Sequence, residues 1–409
     1  MDICPKDKCT GCYACVNACS HGCICMQEDE LGCVHPVVDE TNCVNCGLCK
    51  SSCPNNTELK FSYPTKCYAS WIGDKEKRKI CASGGIGTCM SEYVIKQGGV
   101  VFGSRYDAEM TPIMTYTDSL EDLEYFKGSR YVQSLVGNDT YKAVRTFLRN
   151  GRLVLFIGTP CQIAGLKTFL RKDYAYLITV DLICHGVCPT KYFKEEVYHL
   201  TEIYKLKDVA DIRFRGNDGN NFRLTLWNKD SRKLFPRDNY REKLLRFDEA
   251  QQYYIQGFLL GISLRENCYS CNYAKPERIS DITIGDFIGL GKTVPFEYST
   301  TNVSSVTLNT EKGLAFYQKV SEKTDTLFNI KRSYEERLMY KPSLVHAFER
   351  HPLNSKFKEY YKKSGYLYAI HKVLKPTLRK LLIKRYCSYP YRIAMKLIRL
   401  TRIKSDGKK

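Results

Sequence analysis

The stretch RLVLFIGTPCQIAGLKTFL, residues Arg152–Leu170, decides the fold class of this chain. An apolar run of strand length leads into a short loop, Gly-Thr-Pro-Cys, and the loop leads into a segment with helical character. The same order returns in residues Tyr176–Tyr204, YLITVDLICHGVCPTKYFKEEVYHLTEIY. Apolar strands that alternate with loops and helices predict parallel strands with both faces of the sheet covered.

The pattern extends in both directions from these two units. Upstream, KCYASWIG and GGVVFGS predict strands, and a helix is predicted between them from Cys89 to Gln97. Downstream, SDITIGDFIGLG predicts a strand that ends in a glycine turn. We therefore predict an α/β body with a largely parallel sheet.

Composition restricts the class of protein. The chain has 409 residues and 21 cysteines, an odd number, and its N-terminal residues include no apolar signal region. These features argue against a secreted disulfide framework and favour a reducing cytoplasm, with thiolates available to metal. No run of about 18 apolar residues predicts a membrane-spanning helix.

Positive charge is concentrated at the C-terminus. Residues 331–409 hold 22 Lys and Arg against 5 Asp and Glu, a net charge of +17, whereas the first 330 residues carry +2. The segment YRIAMKLIRLTRIK, residues Tyr391–Lys404, predicts a basic amphipathic helix. We weigh two roles for residues 366–409: packing on the body, and peripheral contact with an anionic membrane at its inner face. No nucleic-acid-binding motif accompanies the charge.

The first 60 residues contain two matching cysteine repeats, CTGCYACVNAC and CVNCGLCKSSC. In bacterial two-cluster ferredoxins, three cysteines of each repeat bind one [4Fe–4S] cluster and the fourth binds the other. Zinc sites seldom use this spacing in duplicate. The repeats predict an α+β module with a first cluster on Cys9, Cys12, Cys15 and Cys53, and a second on Cys43, Cys46, Cys49 and Cys19. Three cysteines outside the pattern are predicted to be packing residues: Cys23, Cys25 and Cys33.

Four more cysteines lie at positions that the predicted sheet can bring together. Cys161 and Cys184 each follow an apolar strand, at the carboxyl edge where ligands bind to parallel sheets. Cys268 and Cys271 form a C-x2-C pair. The four thiolates predict a third [4Fe–4S] site. The alternative is that Cys161 and Cys184 are buried apolar residues and that the pair binds zinc or nothing.

A glycine loop, ASGGIGT, occupies residues Ala82–Thr88. Small residues let the backbone approach a phosphate closely, and a helix N-terminus favours negative charge. Clusters carry single electrons whereas metabolism exchanges pairs, so a flavin is the expected converter. The loop predicts flavin contacts, with a purely structural turn as the alternative. The predicted contacts are Ser83, Gly84, Gly85, Gly87 and Thr88.

Five motifs occur in the order SGGIGT, KGSRYVQS, GTPCQIAGL, DLICHGV and CYSCNYA…SDITIGD. Together with the ferredoxin repeats, they resemble the coenzyme F420 hydrogenase/dehydrogenase beta-subunit family. The resemblance implies FAD, iron–sulfur clusters including the third one, and a two-electron partner such as coenzyme F420, a nicotinamide or an organic substrate. It also implies that Lys127, Ser129 and Tyr131 face the flavin. The variant HGVCP adds Cys188 as a competing candidate ligand.

We therefore interpret the chain as four parts: a ferredoxin module (1–60), a family N-terminal domain with the glycine loop (61–150), a family C-terminal domain with the third cluster (151–330) and a basic helical tail (331–409). The predicted function is that of a cytoplasmic, flavin-dependent iron–sulfur oxidoreductase. It would work with a redox partner protein or a small two-electron carrier. The alternative function is that of a flavin-free electron-transfer adaptor that docks onto a partner oxidoreductase.

Some polar residues near these motifs allow two interpretations. Asp181 and Asp286 end predicted strands, where a carboxylate either orients a cofactor loop or caps a turn. His185 is either a proton donor or a hydrogen-bonding loop residue, and we favour the second. Three arginines either bind an anionic substrate or form an exposed basic strand and turn: Arg213, Arg215 and Arg223.

Overall fold

The computed structural model describes residues 1–207, 209–215, 224–228, 234–235 and 250–377. Its N-terminal part is a small module of two short helices and one antiparallel hairpin. The helices are α1 (Ala14–Ala18) and α2 (Leu48–Ser51), and the hairpin strands are β1 (Ile24–Glu28) and β2 (Val34–Val38). Each helix follows the loop of one cysteine repeat, as the ferredoxin spacing predicts.

Among the described residues, eleven further strands follow along the chain. They are β3 (Lys66–Ile72), β4 (Val100–Tyr106), β5 (Pro112–Thr117), β6 (Val154–Gly158), β7 (Leu177–Leu182), β8 (Val209–Arg213), β9 (Thr225–Asn228), β10 (Leu234–Phe235), β11 (Ile282–Asp286), β12 (Ser304–Leu308) and β13 (Leu327–Arg332). Strands β8, β9 and β10 form a separate antiparallel sheet. The other eight form the central sheet in the order β13-β3-β12-β11-β7-β6-β4-β5.

The middle of the central sheet is parallel and its flanks are antiparallel. Strands β11, β7, β6 and β4 run in one direction, and these include both apolar runs that predicted parallel pairing. The remaining pairings, including β3 with β12 and β13, are antiparallel. The predicted α/β fold class is confirmed. Because β3 lies between β12 and β13, residues 61–150 and 151–330 contribute to one sheet, and the border between them stays a prediction.

Helices cover both faces of this sheet. They are α3 (Lys75–Lys79), α4 (Ile86–Lys96), α5 (Thr140–Arg149), α6 (Pro160–Leu170), α7 (Thr190–Tyr204), α8 (Ala250–Leu259), α9 (Glu311–Glu322) and α10 (Tyr334–Met339), with short 3-10 helices at Asp122–Phe126, Glu266–Ser270 and Pro342–Leu344. Residues 354–377 are also helical and change direction at Gly365, where φ is 75°. Helix α4 starts three residues before the predicted Cys89, directly at the glycine loop.

The start of α6 is fixed by a capping box. The Thr159 amide donates a 2.9 Å hydrogen bond to Oε1 of Gln162, and Pro160 occupies the first turn. Such a reciprocal cap satisfies backbone groups that a helix start leaves unpaired. The cap therefore holds Cys161 at the beginning of the helix, at the carboxyl end of β6.

The ferredoxin module packs on one face of the central sheet. Alternate residues of β6 point to opposite faces, so Phe156 joins a core with α5, α6 and α1, while Leu155 joins a core with α4 and α9. Ala14 of α1 is fully buried in the first of these cores. The module thus shares a continuous apolar core with the α/β body.

The described end of the chain packs against the body. Tyr366, Ile370 and Leu374 are fully buried in a core that also contains residues of α7 and α8. This placement agrees with the packing role for residues 366–377, whereas residues 378–409, including the predicted helix at 391–404, lie outside the described residues. Within the described part of the chain, every helix is too short or too polar to cross a bilayer.

One buried ion pair ties β7 to the chain before β11, and it generates a stability prediction. Asp181 accepts a 2.6 Å hydrogen bond from Nη2 of Arg278, and both side chains are buried. We expect Asp181→Asn to lower the free energy of unfolding by roughly 3–5 kcal/mol, because it leaves a buried guanidinium without its counter-charge.

Differential scanning of Asp181→Asn and of the control Asp118→Asn measures this effect. Asp118 pairs with Arg152 at the surface. Loss of such a pair changes stability by at most about 1 kcal/mol. Equal melting temperatures for both variants would assign Asp181 no structural role.

Candidate metal centre

The first predicted cysteine set lines one pocket. The pocket is lined by Cys9, Cys12, Cys15 and Cys53, from both repeats. Burial, together with the neighbouring Cys9 and Cys53, raises the pKa of the Cys12 thiol to about 12. Thiols packed this closely would be costly as free thiolates, so the arrangement suits sulfurs that share a metal centre.

A fifth thiol, Cys4, lies at the same pocket. Its side chain is within hydrogen-bonding reach of Cys9 and Cys53, and it lowers the pKa of both thiols. Cys4 falls outside the repeat, and no spacing rule singles it out. The first group therefore contains one more thiol than the repeat predicts.

The second predicted set lies nearer the surface. The Cys49 thiol has Cys43 and Cys46 as charged neighbours, and Cys46 is exposed. The Cys19 Sγ atom lies 3.4 Å from that of Cys23, which is also close to Cys43. Cys23, predicted to be a packing residue, is therefore a fifth thiol of the second group.

The structure brings together the four cysteines of the predicted third site. Burial, together with Cys161 and Cys271, raises the pKa of Cys184 to about 12. Burial also raises the pKa of Cys268 strongly, with contributions from the other three thiols. One member starts α6, one follows β7 and two come from the segment around the 3-10 helix Glu266–Ser270. Three loops thus meet at the carboxyl edge of the parallel strands.

Cys188 lies away from this third group. Its side chain is fully buried, with Sγ 3.3 Å from the Ser263 hydroxyl, and its other neighbours include Tyr254 and Cys33. Within the described residues, no three His, Cys, Asp or Glu side chains converge closely enough to hold one metal ion.

The first and third groups are neighbours across α6. A Cβ atom added to Gly165 would lie 3.0 Å from the Cys12 Sγ atom, and Gly165 is one helical turn after Cys161. Tyr141 and Tyr273 lie between the two groups, since each has cysteines of both as charged neighbours. Tyr141 and Tyr273 therefore lie near cysteines of both groups.

The glycine loop packs against strands β3 and β12. A Cβ atom on Gly84 would lie 2.3 Å from the Ser70 carbonyl oxygen, and Gly85 adopts φ 83° against Ile72. Packing thus explains both glycines without a ligand. Gly87 differs, because its added Cβ would meet only a methyl group of Ile284, at 3.5 Å.

A polar cluster faces the glycine loop from the opposite side. Arg215 forms a two-pronged ion pair with Asp286, at 2.7 and 2.9 Å, and donates a 3.3 Å hydrogen bond to the Tyr131 hydroxyl. The Ser83 hydroxyl is buried near Asp286, with no partner at ordinary hydrogen-bonding distance. Burial raises the pKa of Asp286, but Arg215 and the Ser83 hydroxyl lower it by more, so this pKa lies below its usual value. Lys341 has both Asp286 and Cys184 as charged neighbours, and burial lowers its pKa.

Lys341 is the functional candidate that sequence reasoning missed. It belongs to no motif and is about 55 residues from Asp286 along the chain. Its position between the polar cluster and the third cysteine group becomes visible only in the fold. Two other predicted flavin residues lie at the cluster's margin: Lys127 pairs with Glu124 at 2.6 Å, and Ser129 contacts Tyr131.

The remaining polar candidates have structural environments. The His185 ring packs between Phe258 and Phe348, and burial lowers its pKa to about 4, as expected for a neutral loop residue. Arg213 pairs with Asp211 and Glu124, so it is not a free anion-binding group. Arg223 lies outside the described residues.

Comparisons with known proteins agree with these observations. Residues 151–329 match the family model for the C-terminal part of the beta subunit of coenzyme F420 hydrogenase/dehydrogenase, and residues 36–57 match a 4Fe-4S binding domain. A chain of the F420-reducing [NiFe] hydrogenase complex from Methanosarcina barkeri superimposes with a TM-score of 0.45 and 17% identity, over 78% of this chain and 94% of that chain. No curated protein matches the sequence. Residues 151–329 are thus similar to part of an oxidoreductase subunit, and residues 36–57 are similar to a 4Fe-4S binding domain.

The third group generates a prediction about metal content. Replacing Cys268 and Cys271 with Ser should remove about four iron atoms per chain, because a [4Fe–4S] cluster needs its thiolates, and should leave the ferredoxin absorbance. Iron, sulfide and zinc assays on anaerobically purified protein measure this change.

Cys188→Ala is the matched control, since it removes a buried thiol that lies outside the group. We expect it to keep its full iron content. Iron loss in Cys188→Ala equal to that in the double variant, or zinc loss in the double variant instead of iron loss, would contradict the proposed ligand set.

Proposed function

We propose that this chain, whose residues 151–329 belong to the coenzyme F420 hydrogenase/dehydrogenase beta-subunit family, is a flavin-dependent iron–sulfur oxidoreductase. The observation that carries the proposal is the order of the sites. The second cysteine group lies near the surface, the first group is buried, and the third adjoins both the first group and the polar cluster at the glycine loop. This order is that of an electron path from the protein surface to a two-electron site.

We assign three [4Fe–4S] clusters to the three groups. The proposed ligands are those of the ferredoxin pattern for the first and second clusters, and Cys161, Cys184, Cys268 and Cys271 for the third. When bound, the clusters carry single electrons and FAD exchanges electron pairs. The chain supplies buried loops that exclude water, and it holds the cysteines in fixed positions.

The residues at the glycine loop fit an anionic flavin cofactor. The first turn of α4 leaves amide groups unpaired and carries a partial positive charge, and Gly87 keeps that turn open. The Ser83 hydroxyl and the cations Arg215 and Lys341 all lie near the carboxylate of Asp286. We infer that these residues would hold FAD, with Thr88 and Tyr131, and that Lys341, which also neighbours Cys184 of the third group, would supply positive charge there.

The partner is proposed to act at two places. A two-electron carrier or substrate, such as coenzyme F420, a nicotinamide or an organic compound, would reach the flavin site. A redox partner protein would exchange electrons at the surface beside Cys46, which is exposed, and Val44, which is 59% exposed.

The flavin assignment predicts the cofactor content of one variant. Wild-type protein should contain FAD and about twelve iron atoms per chain. Gly87→Val should lose FAD and keep its iron, because an added Cβ atom makes only an ordinary contact with Ile284 and the two methyl groups of valine would occupy the space at the first turn of α4. Absorbance spectra and flavin release on denaturation measure this change.

Gly84→Val and Gly85→Val are less informative, because their side chains would collide with Ser70 and Ile72. A Gly87→Val protein with stoichiometric FAD would place the flavin elsewhere. A wild-type protein that binds iron but never flavin would favour the adaptor function.

The C-terminal residues support a separate proposal of contact with anionic membranes. Residues 378–409 hold 11 Lys and Arg against 1 Asp. Full-length protein should sediment with vesicles that contain anionic lipid, less so at high salt, and a chain that ends at residue 377 should stay in the supernatant. Equal sedimentation of both chains would contradict membrane contact through these residues.

A further inference from the structure

Arg265 is a buried cation at the junction between the ferredoxin module and the body. Its side chain is 1% exposed, and it directly precedes the 3-10 helix that carries Cys268. A buried guanidinium is strongly unfavourable unless its charge is compensated. The environment of Arg265 therefore needs a source of negative charge.

The hydrogen bonds of Arg265 do not supply that charge. It donates to the Gln133 Oε1 atom at 2.7 Å, to the Asn267 Oδ1 atom at 3.2 Å, and to the carbonyl oxygens of Cys9 and Val34 at 3.2 Å each. All four acceptors are neutral. Among the described residues, no carboxylate oxygen lies within 4.0 Å of this guanidinium.

The carboxylates of the same neighbourhood already have other partners. Asp29 pairs with His35 at 3.2 Å, and Glu266 pairs with Arg350. Buried Arg278, by comparison, has a carboxylate partner, Asp181. Arg265 has none within 4.0 Å among the described residues, and it lies beside cysteines of two groups.

The groups that can balance Arg265 are thiolates. The Arg265 Nη2 atom donates to the carbonyl oxygen of Cys9, of the first cysteine group, at 3.2 Å. The Arg265 carbonyl oxygen accepts from the amide of Cys268, of the third group, at 3.0 Å. One arginine thus contacts the backbone of one cysteine of each group.

The ferredoxin loop is shaped to admit this cation. Gly11 adopts φ 62°, and an added Cβ atom would lie 2.6 Å from Gln133 Nε2 and 3.3 Å from Arg265 Nη2. Gln133 accepts from Arg265 through Oε1 and directs its Nε2 toward the Gly11 carbonyl oxygen, at 3.4 Å. The glycine in CTGC therefore makes room for the guanidinium and for the amide that orients it.

We propose that Arg265 is a counter-charge shared by the first and third cysteine groups, and that it makes the clusters in both groups easier to reduce. The proposal rests on the proposed function, because it concerns clusters bound by those groups. A cluster held by four thiolates is an anion, and it gains one negative charge when it accepts one electron, with no bond formed or broken. A fixed cation in a region of low dielectric stabilises the reduced form more than the oxidised form.

Sharing has a second consequence. When one of the two clusters is reduced, its added negative charge partly neutralises the field of Arg265 at the other cluster. The second reduction is therefore less favourable than the first, which disfavours holding electrons on both clusters at once and favours onward transfer.

The test measures midpoint potentials, with dithionite as the reductant, by electron paramagnetic resonance of anaerobically purified protein. Arg265→Gln removes the charge and keeps a polar side chain. We expect at least a tenfold lower equilibrium constant for one-electron reduction of the first and third clusters, which is a shift of about 59 mV to lower potential. The signal that disappears in the Cys268/Cys271 double variant identifies the third cluster.

Two further variants separate charge from packing. Arg265→Lys keeps the charge and should retain potentials near those of the wild type. Gln133→Glu leaves Arg265 in place but neutralises it with a carboxylate, and should lower both potentials as Arg265→Gln does. The second cluster is an internal reference, because Arg265 makes no hydrogen bond to its loop within the described residues.

Unchanged midpoint potentials in iron-loaded Arg265→Gln or Gln133→Glu would overturn the proposal. So would an equal shift of all three clusters, since that indicates a general structural change. A wild-type protein with fewer than about twelve iron atoms instead defeats the three-cluster assignment, and this result is read before any variant is made.

Discussion

The close packing of the first ferredoxin loop on α6 is the constraint on which the rest of the site depends. Gly165 is the contact point, because any larger residue would place a Cβ atom 3.0 Å from the Cys12 sulfur. The same helix carries Cys161 in its first turn, where the Thr159 capping box fixes it. One helix therefore sets the positions of two cysteine groups, and the separation between them is fixed by backbone geometry.

Charge follows the same geometry. The cysteine groups further from the surface contain more buried thiols, and burial makes their ionised forms unfavourable. Buried or half-buried cations lie near these groups and stabilise the ionised forms. Arg265 lies at the junction of the first and third groups, and Lys341 lies between the third group and Asp286. Arg278, by contrast, is neutralised by Asp181 and stabilises the sheet. Arg278 is thus structural here, whereas Arg265 and Lys341 lie beside the cysteine groups.

The sequence predicted the parts of the structure that local rules govern. Apolar runs of strand length identified the parallel strands, and cysteine spacing identified the ferredoxin module. The antiparallel flank at β3 escaped prediction because β3 pairs with strands more than 200 residues later, a contact that no local pattern encodes. Cys4, Cys23 and Lys341 were missed for the same reason, since their roles come from neighbours that are assembled by the fold.

In the glycine loop, the residues that form the motif and the atoms that we propose to bind an anion are different. Its backbone is already engaged on one side, since the Gly84 amide donates to Ser304 and the Gly84 carbonyl accepts from Ile72. Those contacts fix the loop against β3 and β12 before any ligand arrives. The anion site that we propose is the first turn of α4, because a helix start leaves its first amide groups without intrahelical partners. The glycines therefore hold a rigid frame in place, and the open helix end beyond them is the surface at which an anion can be bound without reorganising the chain.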